Sequence, residues 1–132
     1  MIRVYTASKL STAVEWRQMQ LAWPHVIFHA RWLRHVEIGT PDSPENAVRF
    51  WIEDQEDVAS ADAVLVYAKR GEHLRGALVE AGIAIACGVP VIVVGEHPDY
   101  GTWQYHPDVT RVGSFIEAEQ LLKQIEDEKY AE

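Results

Sequence analysis

The chain has 132 residues, room for one ordinary domain with a single core, which at that size forms without disulfides or a structural metal. Twelve Lys and Arg against twenty Asp and Glu leave −8 with no basic stripe, so a nucleic-acid backbone is a poor partner while free nucleotides stay open. The single cysteine, Cys87, excludes an internal disulfide and a Cys-based zinc cage, and no apolar run approaches the roughly 20 residues of a membrane span.

In chain order, Ile2–Thr6 reads as a first strand and lacks the long apolar stretch of a signal peptide, so the expectation is a cytoplasmic domain. A helix is expected over about Ser8–Leu21, with Ser8 or Ser11 as its cap, then a strand over His25–Ala30. After an irregular Arg31–Ser43 comes a helix over Pro44–Ser60, with Ser43 before the proline as its N-cap. Ala63–Tyr67 is the third strand, and a nearly all-apolar helix follows over Leu74–Cys87. Gly88 stops that helix ahead of a strand over Pro90–Val94. Gly95–Asp108 is a long loop rich in aromatics (Tyr100, Trp103, Tyr105), suited to a flat ligand or a partner subunit, or simply a surface hairpin. Val109–Val112 and a Ser114–Glu128 helix complete the chain. The alternation predicts α/β architecture: residues 1–132 as one doubly wound domain with a five-stranded parallel sheet, flavodoxin- or Rossmann-like, in the order 2-1-3-4-5.

Most carboxylates, Glu45, Glu53, Glu56 and Asp57 among them, fall on polar helix faces where solvation is the default. Two do not. Glu80 is the only charged residue from Gly76 to Gly95, on a helix apolar nearly all round, where an unpartnered carboxylate is costly. It either pairs with Arg75, caps a backbone group, or lines a pocket that tunes it for chemistry. On a wheel of about 100° per residue, Asp54 falls inside the apolar arc of its helix, between Phe50 and Ala47. There it makes a helix–loop hydrogen bond at the core rim or joins Glu80.

In a doubly wound sheet, ligands sit beyond the carboxyl ends of the strands, beside strand 1. Glu80 reaches that edge, and Tyr5 and Ser8 lie at the end of strand 1. Two carboxylates, a tyrosine and small residues around one crevice suit cleavage of a bond to a sugar's anomeric carbon. The six histidines are dispersed. His25 and His29 fall about 13 Å apart at strand rise, so no metal site is expected. With no G-x-G-x-x-G after the first strand, no dinucleotide cofactor is expected either.

The run Gly76-Ala77-Leu78-Val79-Glu80-Ala81-Gly82-Ile83-Ala84, followed by Gly88-Val89-Pro90-Val91-Ile92, resembles the nucleoside 2-deoxyribosyltransferase family. Asp54, eight residues before Asp62 of Ala61-Asp62, matches the family's acidic partner in spacing, and Tyr5 in Val4-Tyr5-Thr6-Ala7 matches its first-strand tyrosine. The likeness spans residues 2–94. A branch of the family hydrolyses deoxynucleoside 5′-monophosphates with water as acceptor. Two positions depart: Leu74 stands where many members carry an acid, and Ala77 where they carry Thr.

The resemblance implies a retaining double displacement. Glu80 attacks C1′ as an ionised nucleophile, Asp54 protonates the leaving base, and Tyr5 orients Glu80 or the sugar. On this expectation Arg75 keeps Glu80 ionised, while Phe50 and Trp51 raise the pKa of Asp54. Ser8 and Lys9 serve a 5′-phosphate at a helix N-terminus, Arg75 and Gly76 line the substrate, and Trp51, or an aromatic from Gly95–His106, stacks on the base. The family also implies a homodimer or higher homo-oligomer in which a neighbouring subunit completes the site, through Trp103–His106 or Ser114. The competing reading is a non-catalytic nucleotide-binding or regulatory module on the same fold, favoured by Leu74 and Ala77. A response-type domain is disfavoured, because no acidic pair follows strand 1.

Overall fold

A computed structural model describes residues 1–34 and 43–130. Five parallel strands form one sheet in the order β2-β1-β3-β4-β5: β1 Ile2–Ala7, β2 Val26–Phe28, β3 Ala63–Tyr67, β4 Val91–Val94 and β5 Val109–Val112. Strands buried on both faces must be largely apolar: the runs of β3 and β4 are closed from water along almost their whole length, and β1 exposes only Arg3. The edge strands β2 and β5 keep exposed residues. The crossover helices are α1 Ala13–Ala22, α2 Pro44–Ala59 and α3 Gly76–Cys87, and α4 Phe115–Tyr130 follows the last strand. This is the doubly wound α/β arrangement that the alternation predicts. No helix among the described residues is long and apolar enough to cross a membrane.

An aromatic cluster fills the space beside α1 and α4. Trp16 meets Phe28, Tyr67 and Phe115 edge-on, with ring centroids 5.7–6.2 Å apart. α3 buries small residues, Ala77, Ala81 and Ala84, so its backbone packs close and its second turn can carry a side chain against β1. Ser43 caps α2, accepting from the Asn46 N–H at 3.2 Å, with Pro44 in the first turn. Ser114 caps α4 through the Glu117 N–H. Gly88, at φ 72°, takes the left-handed conformation that closes α3.

The start of α1 differs from expectation. Neither Ser8 nor Ser11 caps it: the Ser8 Oγ accepts the Trp16 indole N–H at 2.7 Å, and the Ser11 hydroxyl donates to Glu72. The chain makes a 3-10 turn over Leu10–Thr12, and the α-helix begins at Ala13. Of the irregular Arg31–Ser43, Arg31–Arg34 is a 3-10 turn, and residues 35–42 lie outside the described residues. The loop after β4 carries another such turn, Thr102–Tyr105.

Candidate active site

The crossovers bring Tyr5, Glu80 and Asp54 together on the α2/α3 face of the sheet. Tyr5 comes from β1, whose packing against α3 sets it opposite the second helical turn. Its hydroxyl donates to Glu80 Oε2 in a hydrogen bond between two groups buried away from water. Asp54, half-buried on α2, lies near enough that its charge acts on both.

The electrostatics follow from that geometry. Burial is the largest influence on Glu80 and disfavours its anion; the Tyr5 hydrogen bond favours it, and the Asp54 charge opposes it again. The net result lifts the carboxyl to about 8, so at neutral pH the free protein holds Glu80 mainly protonated. Burial, then the charges of Glu80 and Asp54, push the Tyr5 phenol far above its ordinary value, so it stays a donor. Two expectations change here. Arg75 is exposed at the N-cap of α3 and has no part in the Glu80 shift, so it does not keep Glu80 ionised. Glu80, expected to be ionised, is instead pushed toward its protonated form by burial.

Other residues form the surroundings. A methyl placed on Gly76 would stand 3.4 Å from Trp51 Cη2, so the Trp51 ring lies over the first residue of α3. Trp51 keeps an open side at 41% exposure. Ser8 and Lys9 sit past the end of β1, but α1 starts four residues after Lys9, so they are not at its N-terminus. The Ser8 hydroxyl is committed to Trp16, and Lys9 is exposed.

Sequence reasoning missed several contributors. Asp57, expected on a solvated face, is buried; it accepts the Arg31 N–H at 2.8 Å and the Arg31 Nε–H at 3.0 Å, fixing the turn after β2 against α2. In the same turn the Trp32 indole donates to the Thr6 carbonyl at 2.8 Å, closing the end of β1. The buried Val26 before this turn gave no signal of either long-range contact. On α2, the apolar Val48 and Ile52 are 59% and 51% exposed. With Val79 they line an apolar groove between α2 and α3.

Most of the aromatic loop is structural. The buried Tyr100 hydroxyl accepts the Ala68 N–H and donates to the Val94 carbonyl, both at 3.0 Å, and Trp103 packs on it. Tyr105 is exposed, with the Arg111 guanidinium 4.4 Å from its ring centroid. Among the described residues no cluster of His, Cys, Asp and Glu could hold a metal.

The site is therefore that of a doubly wound α/β domain with a buried Tyr–Glu pair and a second, half-buried carboxylate on the α2/α3 face of its sheet. No family model, curated protein or solved structure matches the chain.

Proposed function

We propose that the chain is an enzyme of the nucleoside 2-deoxyribosyltransferase type. It cleaves or transfers the N-glycosidic bond of a (deoxy)nucleoside or nucleoside 5′-monophosphate through a covalent glycosyl-Glu80. The observation carrying this reading is the Tyr5–Glu80 hydrogen bond with Asp54 acting electrostatically on both. Two carboxylates coupled through space that hold one proton between them are the equipment of retaining glycosyl chemistry.

In the reaction Glu80 must give up its proton before it attacks C1′. Substrate binding moves that proton toward Asp54 or the departing base, and Asp54 then delivers it to the leaving nitrogen. The Tyr5 hydroxyl holds Glu80 Oε2 and leaves the other oxygen to attack. A second base or water attacks the same carbon from the vacated side, with Asp54 as base, and Glu80 leaves as carboxylate. Trp51 above Gly76 offers a face for the base. Of the residues expected to serve the sugar or a 5′-phosphate, the exposed Lys9 and Arg75 keep their cations open to solvent, while the Ser8 hydroxyl is taken by Trp16. The reaction needs no cofactor, and the setting is cytoplasmic. The apolar groove between α2 and α3 supports a second copy of the chain as partner.

The test is a panel of deoxynucleosides and their 5′-monophosphates, incubated with and without acceptor base, with free and transferred base followed by chromatography. Base release is expected from wild type and absent from Glu80→Ala. Release without acceptor incorporation indicates a hydrolase. The 6% exposure of Glu80 favours the competing reading, a non-catalytic nucleotide-binding module. Micromolar binding across the panel without turnover would establish that reading instead.

A further inference from the structure

α3 carries Glu80 in its second turn yet begins without a cap of its own. Its N-cap residue is Arg75, at φ −133° and ψ −78°, and the Arg75 side chain makes no capping hydrogen bond. Helices usually start at Ser, Thr, Asp or Asn, whose oxygens take up the free N–H groups. Here a carboxylate arrives from elsewhere in the chain. Asp99, in the loop after β4, accepts the Leu74 N–H at 2.8 Å, one residue before the N-cap.

Three contacts keep Asp99 in place. Its own N–H donates to His97 Nδ1 at 3.0 Å; the neighbouring Tyr100 is pinned between Ala68 and Val94; the His73 ring approaches the carboxylate at 3.6 Å. The Leu74 N–H, then His97 and His73, hold the Asp99 carboxyl below the usual carboxylate range, so it is an anion at neutral pH. A negative charge is favourable at a helix N-terminus. The loop joining β3 to α3 is thus held from the β4 side at both ends: Ala68 by Tyr100, Leu74 by Asp99.

We infer that Asp99 is a positioning residue for the reaction: an anchor from the β4 loop that holds the chain entering α3 and so fixes where Glu80 sits against Tyr5. The inference rests on the proposed N-glycosidic activity for its kinetic consequence, but its structural half stands apart. Asp99 touches no reacting atom. It acts through the backbone of Leu74, so the hydrogen bond and not the charge is what matters, and Asn in its place should serve.

The experiment uses the full chain with Asp99→Asn and Asp99→Ala, reading amide hydrogen exchange over Leu74–Glu80 and kcat and KM separately for base release. Asp99→Ala is expected to speed exchange roughly three- to tenfold at Leu74 and in the first turn of α3. It should lower kcat on the order of tenfold or more with KM little changed, because a small misplacement of the nucleophile is costly. Asp99→Asn should keep both near wild type. Should Asp99→Ala fold poorly, Asp99→Ser, too short to reach Leu74, replaces it. Unchanged exchange in the truncated variant, or an Asn variant that falls as far as Ala, overturns the inference. If wild type releases no base, the N-glycosidic reading fails, and the exchange data alone decide whether Asp99 holds the chain entering α3.

Discussion

The Tyr5 hydroxyl and the Glu80 carboxyl, 75 positions apart in sequence, meet in a buried hydrogen bond between β1 and α3. The carboxyl stands near 8, and Tyr5 is the one neighbour pulling it down. The consequences of that relationship can be measured.

The first is a pH profile. If ionised Glu80 is the nucleophile, kcat/KM for base release rises with pH and levels off above about 8. Stability runs the other way. The folded-state pKa is raised above the unfolded one, so the folded protein binds the extra proton. Its contribution is complete below the unfolded value of 4.5 and fades as pH rises through about 8. Melting scans from pH 5 to 9 should show Tm falling in wild type and falling less in Glu80→Gln, which has no proton to lose. An alkaline limb identical in both proteins would disprove the assignment.

Tyr5→Phe removes the group that lowers the Glu80 pKa, so the midpoint of the rate profile should move to higher pH. The variant leaves a buried carboxyl without this donor and should cost about 1–3 kcal/mol of stability. Carboxyl chemical shifts followed through a titration, together with denaturant melts, measure both effects. A midpoint that drops would contradict the geometry.

Much of the scaffold was legible because buried parallel strands have little compositional freedom. Ala63–Tyr67 and Val109–Val112 carry in sequence the bounds they have in the fold. Glu80 was legible too, as the lone charge on an apolar helix. What escaped depended on distant partners. The Ser8 hydroxyl is claimed by Trp16, so α1 starts late; Asp57 is drawn inward by Arg31; Asp99 holds the Leu74 N–H 25 residues away, ahead of α3. No local pattern announces such contacts. The ionisation of Glu80 was misjudged for the same reason: Arg75 is adjacent in sequence, but the burial that governs the carboxyl is a property of the assembled fold.

Asp62 is a structural acid and a useful contrast. Burial works to raise its pKa, but the Arg3 N–H at 2.8 Å and the Lys129 ammonium prevail and hold it low. Its stabilising effect is present above the unfolded pKa and is lost as pH falls through the folded one. Asp62→Ala should cost about 1–3 kcal/mol at pH 7 by stranding the Arg3 N–H and releasing the end of α4. It should leave the pH dependence of base release unmoved. Urea melts from pH 7 downward check the first claim, and the gap between the two proteins should narrow as the pH falls through the lowered Asp62 pKa.

Asp54→Asn separates two roles with opposite signs. The Asp54 charge raises the Glu80 carboxyl, so its removal lowers that pKa and shifts the rising limb of the rate profile toward lower pH. The variant also lacks the acid that protonates the leaving base, which should cost roughly 10²–10⁴ in kcat. That cost should shrink for substrates whose base departs easily without a proton. A rate series over leaving groups of graded basicity, run on wild type and Asp54→Asn, therefore has two readouts. A steeper dependence on leaving-group basicity in the variant identifies the acid, and the displaced midpoint identifies the through-space coupling to Glu80. A variant with an unmoved midpoint and a parallel series would leave Asp54 neither function, and the two-carboxylate mechanism would fall.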